Sequence, residues 1–191
     1  MTIRSTLLVA AAVLASVVVT AQTAPSNVKK LGNAIRQYQD EHIQAVIAYE
    51  YSHRYHDGAW LLVDAAVRTT DRLVFDRNHF ALVTPDEKTI RLASESRFVN
   101  DAPQITRIRQ NASIWTRDLN TYFNDKNNSA KYRLFALPGD GVVTDSIVTE
   151  RYGAAFTTLY FESPAGRWAD GTYSLSIDNG RVRVGIPIEL K

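Results

Sequence analysis

Residues 171–190 read GTYSLSIDNGRVRVGIPIEL, and the reading of this stretch decides the fold. Tyr173, Leu175 and Ile177 alternate with polar residues. After a short break, Val182, Val184, Ile186, Ile188 and Leu190 do the same. A period of two is that of a strand with one buried face. Between the runs lies Asp178-Asn179-Gly180, whose residues tolerate the left-handed backbone of a tight hairpin. Pro187 has no N–H to give to a ladder, so the second strand is expected at a sheet edge.

Working outward, the same signals recur. Lys131 to Leu137 ends in Pro138-Gly139-Asp140-Gly141, and Val142 to Thr149 and Phe156 to Phe161 follow. Upstream, Ile43 to Tyr51 and Trp60 to Thr69 flank a turn at His56-Asp57-Gly58. Phe80 to Val83 and Thr89 to Ala93 flank Thr84-Pro85-Asp86-Glu87. Roughly eight strands at short spacing predict an antiparallel β-sandwich or barrel, and no repeat suggests a solenoid. Two stretches change period. Val28, Leu31, Ile35, Tyr38 and His42 recur every three or four residues, which predicts an N-terminal helical segment over 22–42 capped by Ser26. Ile105, Ile108, Ala112, Trp115 and Leu119 predict one inserted helix near 101–118, with Asp101 as cap and Pro103 tolerated in its first turn. The sandwich domain then spans 43–191, and residues 120–130 form a polar loop.

Ahead of Tyr173 stands Trp168-Ala169-Asp170-Gly171-Thr172. The stretch resembles the approach to a late strand of immunoglobulin-like domains. There, a tyrosine hydroxyl bonds back to upstream backbone. The resemblance implies an immunoglobulin-like β-sandwich in which Tyr173 is the corner residue and Trp168, Asp170 and Gly171 shape its approach. It covers about thirty residues and is similar to domains of exported bacterial families without assigned activity. It therefore implies no reaction. The antibody pattern of two cysteines around a tryptophan is absent, since the chain has no cysteine.

The first residues predict an address. Arg4 lies in a polar start, Leu7 to Val19 is uncharged, and Val19-Thr20-Ala21 offers a cleavage site. This predicts a signal peptide over 1–21 and a mature chain beginning at Gln22. Thirteen helical residues reach only about 20 Å, against roughly 30 Å of bilayer hydrocarbon. The protein is expected in the periplasm or outside the cell, held together by packing alone. With 191 residues, no cysteine and a formal charge of +2, thiol chemistry and zinc–thiolate sites are excluded, and nucleic acid is not an expected partner.

Chemistry is sparse. No Gly-x-Ser-x-Gly, dinucleotide fingerprint or phosphate loop occurs. His53, His56 and Asp57 are the candidate metal ligands, although residues three apart on an extended chain face opposite sides. Asp64 interrupts an apolar strand beside Trp60, Leu62 and Ala66. If its face is covered it needs a partner, with an arginine the expected one. Arg107, Arg109 and Arg117 could hold an anion, and Tyr122, Phe123, Tyr152, Phe156, Tyr160, Phe161 and Trp168 could line a sugar- or peptide-binding face. The leading expectation is a non-catalytic exported binding or assembly module of the bacterial envelope, without a cofactor. It would contact another envelope protein through the Pro187 edge or the 120–130 loop. The alternative is a periplasmic small-molecule or metal-binding protein, and a hydrolase is third.

Overall fold

A computed structural model describes residues 27–123 and 129–191. The expected signal segment 1–21, Ser26 and the middle of the polar loop lie outside the described residues. The chain is mainly β, in several antiparallel sheets. In order, the elements are β1 (Val28–Lys30), β2 (Ile35–Gln39), β3 (Ile43–Ala48), α1 (Glu50–Arg54), β4 (Trp60–Thr69), β5 (Leu73–Asp76), β6 (Phe80–Val83), β7 (Thr89–Arg91), α2 (Glu95–Asn100), α3 (Ala102–Ser113), β8 (Ala130–Lys131), β9 (Ser146–Thr149), β10 (Ala155–Glu162), β11 (Gly171–Asp178) and β12 (Arg183–Leu190). A six-stranded sheet has the order β1-β2-β3-β4-β10-β8, a four-stranded sheet the order β12-β11-β6-β7, and β5 pairs with β9.

The C-terminal hairpin forms where the sequence places it, from Gly171↔Leu190 to Asp178↔Arg183. Gly180 takes the left-handed backbone at φ 82°, and Asp178 accepts its N–H at 2.9 Å. β12 lies at the sheet edge, as Pro187 predicts. Tyr173, Leu175, Ile177, Val184, Ile186, Ile188 and Leu190 all point into the main core. From the larger sheet, Ala45, Ile47, Leu61, Val63, Ala65, Val67, Leu159 and Phe161 join the same core. Each such large apolar side chain contributes about 1.5–3 kcal/mol by leaving water, which is how a chain without disulfides holds together.

The helix expected over 22–42 is overturned in its described part. Val28–Lys30 and Ile35–Gln39 are strands, paired from Val28↔Tyr38 to Lys30↔Arg36. Gly32-Asn33 sits in the reversal, and Leu31 N–H donates to Ile35 O at 3.1 Å. The apolar residues three and four apart straddle a turn and do not share a helical stripe. The expected helix 101–118 is also corrected. A short α2 precedes Asp101, α3 stops at Ser113, and Leu119–Tyr122 is a separate 3-10 turn. Asp101 stands at the α3 cap position, but its carboxylate accepts from Trp60 Nε1 at 2.7 Å and not from the helix. The tight turn expected at His56-Asp57-Gly58 is preceded by α1, which is pinned to the sheet by Ser52. The Ser52 hydroxyl donates to Leu62 O at 2.9 Å and accepts from Leu62 N–H at 2.7 Å.

β3 is buried along its whole length because both its faces are covered. One face meets the main core. On the other, Val46 and Ala48 join Ile35, Ala66, Leu119, Phe123 and Ala154 in a second apolar cluster. The outer face of the larger sheet is thus capped at one end by the 3-10 turn and at the other by α3.

Candidate functional site

β4 and β10 pair in register, with Leu62↔Tyr160, Asp64↔Thr158 and Ala66↔Phe156. Alternation places Leu62, Asp64 and Ala66 on the outer face, opposite Leu61, Val63, Ala65 and Val67 in the core, as the sequence predicts. Thr158 and Asp64 therefore face each other in the gap between the two caps. One cavity of about 220 Å³ runs from them toward α3, reaching Phe98, Arg109, Phe135 and Tyr160. A second, of about 310 Å³, runs toward the 3-10 turn, reaching Asp118, Leu119, Ser129 and Phe156. Asp64, Thr116, Lys131 and Thr158 line both, so the two form one cleft with the carboxylate midway along its floor.

The Thr158 hydroxyl donates to Asp64 Oδ1 at 2.7 Å. Burial pushes the Asp64 carboxyl above its ordinary pKa, and only partly do the Thr158 hydrogen bond and the Lys131 charge pull it back. The arginine expected beside Asp64 is not its partner. Arg109 bonds instead to Asp140, whose carboxylate also accepts the Leu137 N–H at 3.0 Å. That backbone hydrogen bond, with Arg109 beside it, holds the Asp140 carboxyl below the ordinary range. A half-buried carboxylate has room for several donors, and among the described residues Asp64 has one, the Thr158 hydroxyl.

The aromatic end of the cleft is tightly built. Phe98 and Tyr160 have ring centroids 4.8 Å apart, Phe98 and Phe135 5.0 Å, and Phe135 and Tyr160 5.2 Å. Burial raises the Tyr160 hydroxyl far above an ordinary phenol, so it stays protonated at any physiological pH. At the back, Arg77 donates to Ala93 O at 2.5 Å and to Leu134 O and lies over the Phe135 ring at 4.1 Å. This fixes the wall that carries residues 134 and 135.

Comparison with known protein families, with curated proteins and with solved structures finds no match.

The structure does not gather the predicted metal ligands. His53, in α1, is bonded through Nδ1 to Glu189 O at 2.9 Å. His56, beyond the helix end, is bonded through Nε2 to Asp170 Oδ1 at 2.7 Å, and Asp57 is exposed. Among the described residues no three His, Cys, Asp or Glu side chains stand close enough to hold a metal. The physical reason is the end of α1, after which the chain turns His56 toward the start of β11. The arginines also diverge, with Arg109 on Asp140, Arg117 on Glu50 at 2.9 Å, and Arg107 exposed on α3.

The residues quoted around Tyr173 do work together. Its hydroxyl donates to Ala169 O at 3.1 Å, and its ring meets Trp168 edge-on at 5.5 Å. Trp168 donates from Nε1 to Ala59 O at 3.1 Å, and Asp170 takes the His56 contact. A Cβ on Gly171 would stand 2.9 Å from Pro85 Cγ, so only glycine lets the β6–β7 turn approach.

Sequence reasoning found Asp64 but missed Thr158, Thr116 and Lys131. Thr158 had one available signal, its place between Phe156 and Tyr160 in an alternating run. Its partner lies 94 residues away, and local pattern carries no such register.

Proposed function

We propose that the chain is a non-catalytic, exported binding module of the bacterial envelope that holds a small polar molecule in the cleft over Asp64 and Thr158. The observation that carries this reading is a half-buried carboxylate with a single protein donor among the described residues, placed between two connected cavities. Buried polar groups normally have their hydrogen bonds filled, so free acceptor capacity facing a cleft points to a ligand. Among the described residues no histidine lines the cleft, and its other carboxylate, Asp118, accepts the Asn120 N–H at 3.0 Å. A binding role therefore accounts for the residues better than acid–base catalysis does.

Assembly through the β12 edge has less support. Outward-facing groups alternate along an edge strand. Glu189 donates its N–H to the Tyr49 hydroxyl at 3.2 Å and its carbonyl meets His53, while Pro187 has no N–H. That leaves Arg183 and Gly185 to receive a partner strand, a short row for β-augmentation.

For the fold, we infer an immunoglobulin-like sandwich. The order β12-β11-β6-β7 parallels the G-F-C-C′ order of such domains, and β3-β4-β10-β8 parallels A-B-E-D. Tyr173 then stands near the start of the F strand, where the tyrosine corner belongs. The β1–β2 hairpin is an addition, and the parallel pairing of β8 with β10 is a departure.

Amide chemical-shift mapping on the mature chain, residues 22–191, tests the function. The panel is free amino acids, dipeptides and mono- and disaccharides. Shifts clustered on Asp64, Thr116, Lys131 and Thr158 and lost in Asp64→Asn are expected. Shifts confined to other surfaces, or none, overturn the cleft as the site.

A further inference from the structure

The charges around the cleft restrict what can enter it. Arg109 is paired with Asp140, and Arg133 also acts on that carboxylate. Arg117 is paired with Glu50, and Asp118 is engaged by backbone. The other charged groups of the cleft, without an ion pair among the described residues, are the anion Asp64 and the cations Lys131 and Arg133; Arg133 lines the first cavity alone, whereas Asp64 and Lys131 line both. Lys131 lies in β8, which flanks β10 on the side away from β4, so two strand spacings, roughly 10 Å, separate the two backbones. The Lys131 ammonium acts on Asp64 through space yet forms no ion pair among the described residues. Two opposite charges share a cleft and leave a gap between them.

A simple cation would satisfy Asp64 but face Lys131, and a simple anion would satisfy Lys131 but face Asp64. A molecule with both charges separated by one carbon satisfies both. Beyond Asp64, the first cavity is walled in part by the apolar side chains of Leu62, Phe98 and Phe135 and by Tyr160, all nearly inaccessible. We infer that the cleft takes a free α-amino acid with an apolar side chain, its ammonium on Asp64 and Thr158, its carboxylate on Lys131, and its side chain among Leu62, Phe98 and Phe135. This rests on the cleft being the binding site.

The probes are L-leucine, isoamylamine (leucine without its carboxylate), N-acetyl-L-leucine and sucrose, titrated calorimetrically into mature wild type, Asp64→Asn and Lys131→Met. Lys131 is exposed, so its variant tests the inference even where Asp64→Asn disturbs folding. Leucine binds wild type, and each variant weakens it at least about tenfold, as expected for losing a charge-assisted contact. Isoamylamine and N-acetyl-L-leucine each lose at least as much. Should isoamylamine bind as tightly as leucine, or Lys131→Met leave leucine affinity unchanged, the zwitterion inference falls and the cleft stands. Sucrose binding that depends on Asp64, without leucine binding, has the same meaning. No heat from any probe, together with no amide shifts at the cleft across the wider panel, overturns both.

Discussion

Arg36 and Glu189 join the N-terminal hairpin to the last strand, with Nη2 and Oε1 3.3 Å apart. The guanidinium is almost wholly buried, at 2% exposure, and Nη1 also donates to the carbonyls of Gly32 at 2.9 Å and of Asn33 and Ile35 at 3.1 Å. The contact with Glu189 is ionic and lacks hydrogen-bond alignment. One side chain thus supplies donors to the β1–β2 turn and charge to the far sheet.

Arg36→Met is expected to cost about 2–4 kcal/mol, because it removes the guanidinium donor from the Gly32 and Asn33 carbonyls, leaves Ile35 O with the Leu31 N–H alone, and leaves Glu189 without its buried partner. Glu189→Gln should cost under about 1 kcal/mol, since Glu189 is partly exposed and also contacts Lys191 at 3.2 Å. Urea denaturation of both variants checks the ranking. Equal costs would mean that the ion pair, and not the turn carbonyls, is what Arg36 supports.

This pair also shows why the N-terminus was misread. Burial of an arginine is invisible to a hydrophobic pattern, so Ile35–Gln39 does not alternate as a strand should. The remaining apolar residues then matched a helical period by chance across the Gly32-Asn33 turn. The C-terminal hairpin was legible because its strands, its turn and its edge proline are all local signals. β5 was missed for the opposite reason, since Val74 is exposed and Phe75 buried in a strand of four residues. At the site, Asp64 was legible as an anomaly within an apolar run. Thr158 and Lys131 meet it only through strand pairing, which the sequence does not record.

Tyr173→Phe is expected to lose about 1 kcal/mol, the usual net worth of one hydrogen bond, because only the bond to Ala169 is removed and the ring packing on Trp168 stays. Tyr173→Ala should lose about 3 kcal/mol or more by leaving a cavity beside Trp168. Thermal unfolding of the two variants separates the terms. A Phe variant as unstable as the Ala variant would count against the ring as the main contributor.

Gly171→Ala is expected to cost about 2 kcal/mol, since the new Cβ meets Pro85 Cγ at 2.9 Å and the backbone there sits at φ 153°. Pro85→Ala removes the atom that is struck. The double variant should therefore recover part of the loss, a coupling that a double-mutant cycle measures directly. Strict additivity of the two changes would locate the cost in the backbone conformation alone.

Asp64→Asn is expected to raise the melting temperature at neutral pH while abolishing binding. The carboxyl is pushed above its ordinary pKa chiefly by burial, so the folded state holds a proton more tightly than the unfolded chain does. The stabilising effect of that proton is complete below the unfolded value, about pH 4, and is lost as pH rises through the higher folded value. Above that folded value wild type carries a desolvated charge, whereas an amide can still accept from Thr158. The advantage of the variant should therefore be largest at neutral pH and shrink to near zero below about pH 4. Melting curves of both proteins between pH 3 and pH 8 check this. An advantage that does not change with pH would mean that Asp64 is not charged in the folded cleft, and with it would go the role of its carboxylate in holding a ligand.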